Sequence, residues 1–282
     1  MALNATERRF LQELVASRPA ARRSHVAASL CRNFGLGALI AGHIEYSEAD
    51  YSRARDLLLA SGLPVQALGP EASRAQAASH GGMSEKSGTR GPHTNSVALK
   101  SLGGCRLDGH ELWTPACGYL VCTIDDGVRI DADRVLLVEN LEVFRNIEQY
   151  AWIATAPASV LVVFRGDREL SAADSTKLLA RRSDPVWAFV DFDPAGLGIA
   201  AGVPRLERVV LPELPWLEGQ LGGPRSLELF HGSYDQWRAT LDSAPHSQIR
   251  AAWSLMKAKR AGLAQEAMLA YKPTDVIPHI GS

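Results

Sequence analysis

The chain has 282 residues, of which 46% are hydrophobic and 22% are charged. This composition is typical of a folded globular protein and excludes an intrinsically disordered chain. The formal net charge of -1 provides no overall positive field for nucleic acid, so any such attraction must come from local patches. No apolar run approaches the ~20 residues needed to cross a bilayer, which predicts a cytoplasmic protein without a membrane partner.

The N-terminal part of the chain is predicted to be helical. The predicted helices cover residues 5–16, 22–33 and 47–61. The first 32 residues carry six arginines, including Arg22 and Arg23, against two glutamates. Short helices, the first two of which are rich in arginine, suit a winged-helix or helix-turn-helix module. A plain helical bundle explains them equally well. We predict a winged-helix-like DNA-binding module over residues 1–68, with Arg22 and Arg23 as DNA contacts.

Residues 69–96 interrupt the helical pattern. Glycine, serine and proline are frequent there and no hydrophobic periodicity remains, which predicts a flexible linker or loop. Its basic residues Lys86 and Arg90 are predicted to contact DNA phosphates. The alternative, which is the more common one for such a loop, is that these side chains are simply solvated.

The remaining segment, residues 97–282, begins with short strand-like runs and a predicted turn at residues 125–127. Continuous apolar, β-rich runs follow. They cover residues 134–139, 159–164, 186–191 and 206–211. Strands buried on both faces of a parallel sheet have this pattern, and the intervening helical stretches indicate right-handed crossovers. We therefore predict an α/β domain, followed by C-terminal helices whose aromatic stripes lie in the core.

Two of these predicted strands end in acidic residues. The first ends in Glu139, and the third ends in Asp191 and Asp193, which are separated by one residue. Alternate residues of an extended segment point the same way, and the carboxyl ends of parallel strands meet at one edge of the sheet. Carboxylates gathered there repel each other unless a cation lies among them, and oxygen ligands suit Mg²⁺ or Mn²⁺. The simpler explanation for Asp193 alone is a cap on the helix that begins at Pro194.

The segments Val138-Glu139-Asn140 and Asp191 to Gly196 resemble the corresponding parts of a Toprim domain. That domain occurs in topoisomerases, bacterial primases, the DNA-cleaving subunit of topoisomerase VI and several defence nucleases. The resemblance is strongest to the nuclease subunit of the Wadjet plasmid-defence system, an SMC-type complex that cleaves circular DNA, and more distant to the topoisomerase VI A subunit. It covers roughly residues 133–212, and residues 263–266 are more loosely similar to a late element of the Wadjet subunit.

The resemblance implies a metal-dependent endonuclease that cleaves or nicks double-stranded DNA inside an SMC-like ATPase complex, in plasmid or phage defence. It implies that Glu139 is a metal ligand or general base and that Asp191 and Asp193 are ligands of Mg²⁺ or Mn²⁺. Arg165, after the second strand, is a candidate phosphate contact, with solvation as an equal alternative. Glu266 is a candidate fourth carboxylate, and the alternative is a surface salt bridge on the last helix.

Two other functions stay open. Topoisomerase VI relatives cleave DNA through a tyrosine of the N-terminal domain, and Tyr46 and Tyr51 are the tyrosines available there. A tyrosine that packs between helices is the simpler explanation of both. A non-catalytic Toprim-like subunit would only dock on an SMC-like ATPase. The chain has no P-loop, so any ATP-driven step belongs to a partner; homodimer formation also stays open.

Overall fold

The computed structural model describes residues 3–67, 93–153 and 158–273. The chain divides into two compact units, Met1–Pro92 and His93–Ser282. The predicted DNA contacts Lys86 and Arg90 lie outside the described residues. In the parts of the chain that are described, no helix combines the length and the apolarity that crossing a membrane requires.

The N-terminal unit combines helices with a small antiparallel sheet. Its elements are α1 (Ala5–Ser17), β1 (Ala21–Arg22), α2 (His25–Phe34), β2 (Ala38–Ile40), β3 (His43–Glu45) and α3 (Glu48–Ala60). The strand order in the sheet is β1-β3-β2. The three predicted helices are confirmed. Asn4 and Ser24 cap the first two by accepting hydrogen bonds from backbone N–H groups. The sheet was not predicted, because strands of two or three residues are too short to show a hydrophobic period.

The C-terminal unit is built on a six-stranded sheet. Its strands are β4 (Ser96–Leu102), β7 (Leu120–Thr123), β9 (Arg134–Val138), β10 (Val160–Phe164), β11 (Val186–Phe189) and β12 (Leu206–Val210). Their order in the sheet is β12-β11-β9-β10-β4-β7. β9 to β12 run parallel, whereas β4 and β7 join antiparallel. Three short strands form a separate sheet: β5 (Arg106–Leu107), β6 (His110–Glu111) and β8 (Ile130–Asp131). The predicted α/β class is confirmed.

Helices cover this sheet and continue to the C-terminal part of the described chain. They are α4 (Ile124–Arg129), α5 (Leu141–Arg145), α6 (Ala172–Arg181), α7 (Pro194–Ala201), α8 (Leu214–Gln220), α9 (Gly223–His231), α10 (Tyr234–Asp242) and α11 (Ser247–Lys259). Short 3-10 helices occur at Ile147–Gln149 and Gln265–Ala270.

The turn predicted at residues 125–127 was wrong, because these residues lie in α4. The Thr123 hydroxyl accepts a hydrogen bond from the Asp126 N–H and thereby caps this helix.

Side chains of the parallel strands alternate between two apolar cores. In β9, Leu136 and Val138 face one core and Val135 and Leu137 face the other. The first core includes buried aromatic residues of α9 and α11, as the C-terminal stripes predicted. Burial on both faces explains the continuous apolar runs in the sequence and makes the sheet a firm support for the residues at its edge.

Helix α7 lies close to α10 at Gly198, where an added Cβ atom would be 2.2 Å from Cε3 of Trp237. We expect Gly198→Ala to displace the indole and to lower the free energy of unfolding by about 1–3 kcal/mol, measured by urea denaturation. Gly219→Ala in α8 is the matched control, because a Cβ atom there meets nothing within 4 Å and alanine favours a helix by about 1 kcal/mol. Wild-type stability of Gly198→Ala would contradict this packing.

Candidate functional site

The two acid-bearing strand ends are direct neighbours in the sheet. Val138 of β9 pairs with Phe189 of β11 in parallel register. The Glu139 N–H then donates to the Phe189 carbonyl at 3.2 Å, so the ladder continues to the first acid. Asp191 follows two residues after β11 ends. The structure therefore brings Glu139 and the Asp191 segment to one edge of the sheet, as the pattern of strand ends predicts.

Each carboxylate is held by hydrogen bonding to the backbone of this edge. Glu139 Oε2 accepts from the Asp191 N–H at 3.2 Å, and Asp191 Oδ1 accepts from the Gln265 N–H at 2.7 Å. Asp193 Oδ1 accepts from the Gly196 N–H at 2.6 Å and caps α7. The prediction that Asp193 caps this helix is thus confirmed. One oxygen of its buried carboxylate binds the first turn of the helix.

The carboxyl groups are poorly solvated and repel each other. Burial, followed by the negative charge of Asp191, raises the pKa of Glu139 from 4.5 to about 7. Burial also raises the pKa of Asp191 from 3.8 to about 6, with a smaller contribution from Asp193. The pKa of Asp193 is raised as well, again by burial, although backbone hydrogen bonds oppose the shift. Desolvation and like charge together therefore disfavour a fully ionised cluster.

Oxygen donors suitable for the predicted metal are present at this edge, but they are not arranged as a complete metal site. Within residues 3–67, 93–153 and 158–273, no group of three or more histidine, cysteine, aspartate or glutamate side chains is arranged to hold a metal ion. The predicted three-carboxylate cup is therefore not preformed. The donor chemistry of Glu139, Asp191 and Asp193 nevertheless fits Mg²⁺ or Mn²⁺: the donors are all oxygens, and a divalent charge would offset their repulsion.

A segment far along the chain, residues 263–266, joins the two strand ends, and we call it the clasp. Phe192 and Leu263 exchange two backbone hydrogen bonds of 2.8 Å. Next to this bridge, the N–H of Gln265 binds Asp191, and its Oε1 accepts the Asn140 N–H at 3.0 Å. Gln265 is fully buried, and its Nε2 has no hydrogen-bond partner within the described residues. The clasp therefore holds both acid-bearing segments in one arrangement.

Glu266 of the clasp lies close to the acid-bearing segments, and its role as a fourth carboxylate stays a prediction. It lies in the 3-10 helix Gln265–Ala270 and not on α11, where a surface salt bridge was expected. Its Oε1 accepts a hydrogen bond from Asn140 Nδ2 at 2.8 Å, and its charge is among the smaller contributions that raise the pKa of Asp191. The salt-bridge prediction was wrong, because the helix ends at Lys259 and the chain turns back across the strand ends.

Two arginines flank the carboxylates. Arg165 follows β10 and is half-buried, and its charge partly opposes the rise in the pKa of Glu139. Arg225 lies in α9 and is exposed, and its charge partly opposes the rise in the pKa of Asp191. In the described part of the chain, neither guanidinium takes part in an ion pair. Sequence reasoning identified Arg165 but missed Arg225, because no motif marks a helix that folding alone brings to this edge.

The other predicted site residues belong to the N-terminal unit, Met1–Pro92. Arg22, in β1, and Arg23 are both exposed. Tyr46 is 9% exposed, and its hydroxyl has no hydrogen-bond partner among the described residues. Burial raises the pKa of Tyr46 to about 12. The Tyr51 hydroxyl donates to the Pro19 carbonyl at 3.1 Å. Both tyrosines thus have the packing environment that the simpler explanation predicts.

The raised pKa of Glu139 predicts a pH-dependent stability in the absence of divalent cations. The folded protein retains a proton that the unfolded chain releases above pH 4.5, so this contribution is complete below 4.5 and is lost as the pH rises through about 7. We expect Glu139 to contribute roughly 3 kcal/mol to the fall in the free energy of unfolding across this interval, measured by urea denaturation in EDTA. Glu139→Gln should remove this contribution, while the fall that comes from the raised pKa of Asp191 remains.

The matched control is Glu142→Gln, which changes an exposed acid in the first turn of α5. This variant should keep the wild-type pH dependence. If Glu139→Gln follows the same curve as wild type, Glu139 does not hold the retained proton.

The chain matches the family described as "Domain of unknown function (DUF7281)" over residues 94–274. The matched region contains the acid-bearing strand ends, both flanking arginines and the clasp. No curated protein is significantly similar to the chain in sequence.

Proposed function

We propose that this chain, which belongs to the DUF7281 family, is a DNA endonuclease of the Toprim type that hydrolyses phosphodiester bonds with Mg²⁺ or Mn²⁺. One observation carries the proposal: the half-buried Glu139 and Asp191 and the buried Asp193 lie at the carboxyl edge of a parallel sheet, and the pKa of each of these carboxyl groups is raised. Structural acids are seldom crowded in this way without charge compensation, and perturbed pKa values of this kind cluster at functional sites.

The residues divide the chemistry among them. Asp191 and Asp193 would hold a divalent cation that polarises the scissile phosphate, with Glu139 either as a third ligand or as the general base. As the general base, Glu139 would accept a proton from the attacking water. The Asp191 N–H binds Oε2 of Glu139, and Oε1 accepts no hydrogen bond from the described residues. Arg165 would bind a non-bridging phosphate oxygen and stabilise the negative charge that develops there.

The wider setting of this activity rests on the resemblance to the Wadjet subunit. We propose that the protein acts in the cytoplasm on double-stranded DNA, as part of an SMC-like ATPase complex in plasmid or phage defence. The exposed Arg22 and Arg23 are proposed to add non-specific phosphate contacts from the N-terminal unit.

The direct test of the endonuclease is nicking of supercoiled plasmid DNA by the purified full chain with Mn²⁺, followed on agarose gels. Asp191→Asn and Glu139→Gln should each lower the rate by at least ~100-fold, because each removes a charged oxygen from the cation and phosphate site. Asp235→Asn, which changes an exposed acid in α10, is the control and should nick at the wild-type rate. Equal nicking by wild type and Asp191→Asn would end the proposal.

Cleavage through a tyrosine is tested by Tyr46→Phe. We expect this variant to retain nicking, because a buried hydroxyl with a pKa of about 12 is a poor nucleophile. Denaturation of the wild-type reaction should release DNA free of covalently attached protein. Loss of nicking in Tyr46→Phe together with a protein–DNA adduct in wild type would favour the topoisomerase-like alternative.

The docking alternative makes a different prediction for Glu139→Gln. A subunit that only docks on an ATPase should retain its cellular effect on plasmids after this substitution, whereas the proposed nuclease should lose it.

A further inference from the structure

We infer that Arg225 is a second phosphate contact, and that a DNA strand therefore crosses the edge of the sheet from Arg165 to Arg225, with the scissile bond over the carboxylates between them. This inference rests on the proposed function and deepens it. It assigns a site for the backbone phosphate on the far side of the cleaved bond. The substrate class is an internal phosphodiester with a phosphate on either side, rather than a terminal phosphate monoester.

The order of the charged groups along the edge supports this path. β10, β9 and β11 are adjacent in that order, so Arg165, Glu139 and Asp191 follow one another along their carboxyl ends. Arg165 acts electrostatically on Glu139, and Arg225 acts on Asp191. The two guanidiniums thus lie near different members of the row, Arg165 near Glu139 and Arg225 near Asp191 and Asp193. A polyanion that crosses the row meets a cation before and after the acidic centre.

Arg225 lines a surface groove that reaches the catalytic edge. Asp193, Ala195, Glu228 and Ser233 line the same groove. The Ser233 hydroxyl makes no hydrogen bond within the described residues, so it is a free donor in the groove that Arg225 lines. Asp193 and Glu228 are the acidic residues of this lining, and Arg225 is its basic residue. Without the arginine, the groove would therefore carry a net negative charge and would repel a phosphate.

The backbone that carries Arg225 is held firmly against the acid-bearing segment. The Gly262 N–H donates to the Ser226 carbonyl in α9 at 2.8 Å. A Cβ atom at Gly262 would lie 2.8 Å from the Phe192 carbonyl oxygen and 2.9 Å from Leu229 Cβ. This close approach ties α9 to the segment that carries Asp191 and Asp193. A guanidinium on such a support can bind a phosphate through two parallel hydrogen bonds without first ordering a loop.

The test measures DNA binding separately from cleavage. A fluorescent 20-base-pair duplex is titrated with the full chain in EDTA over a series of KCl concentrations, and the anisotropy gives the binding constant. A duplex of about 20 base pairs has roughly two helical turns, so it provides phosphates on both sides of one scissile bond. Arg225→Ala should bind roughly tenfold more weakly and should lower the slope of log K against log salt by about 1, because one phosphate contact is lost. Arg225→Lys should keep the slope, since it keeps the charge.

Arg129→Ala is the matched control, because it removes an exposed arginine of α4 that pairs with Asp108 and Asp126 away from this edge. Its slope should equal that of wild type. An Arg225→Ala slope equal to that of Arg129→Ala, or a wild-type chain that does not bind the duplex, would overturn the inference. The two proposals fail separately: binding that depends on Arg225 without nicking rejects the nuclease alone, whereas nicking with wild-type binding by Arg225→Ala rejects the Arg225 contact alone.

Discussion

Electrostatic repulsion among carboxylates at a poorly solvated sheet edge is the constraint on which the candidate site depends. Glu139 and Asp191 share one edge because β9 and β11 are parallel neighbours in register. Burial then removes much of the water that would stabilise their charges, and neighbouring carboxylates add to the cost: Asp191 raises the pKa of Glu139, and Asp193 raises the pKa of Asp191. A protein gains nothing in stability from such an arrangement. A cation, a proton or a phosphate-bound metal relieves it, which is why this edge, rather than any other acidic surface, is the candidate site.

The surrounding structure stabilises this unfavourable arrangement. The clasp forms a backbone bridge to Phe192. Its Gln265 reaches both strand ends: the backbone N–H binds Asp191, and the side-chain amide oxygen binds the Asn140 N–H. Gly196 allows the first turn of α7 to lie directly against Asp191, since a Cβ atom there would be 2.2 Å from the Asp191 carbonyl oxygen. These contacts fix the backbone positions of the acids. The carboxylate oxygens left free by the backbone donors are the groups that would move when a cation binds.

The unpaired Nε2 of Gln265 fits the same description. A buried amide donor without a partner costs about 1–3 kcal/mol, so its presence beside the acids is a second unfavourable feature at one place. Strain and unsatisfied groups of this kind concentrate where a protein binds or transforms a ligand. The family match over residues 94–274 includes every residue of this edge, whereas Arg22, Arg23 and Tyr46 lie outside it. The chemistry is therefore proposed for the C-terminal unit, and DNA attraction for both.

The sequence by itself determined the α/β class, the four parallel strands and the acids at their ends, because continuous apolar runs and strand-end carboxylates are local patterns. It did not determine β4, the helix at residues 124–129 or the course of the chain after α11. Arg225 lies 34 positions after Asp191 in the sequence, and Gln265 lies 74 positions after it. Both belong to the candidate site only because tertiary packing brings the chain back to this edge. Such long-range contacts leave no periodic signal, and the degree of burial that sets each pKa depends on the whole fold.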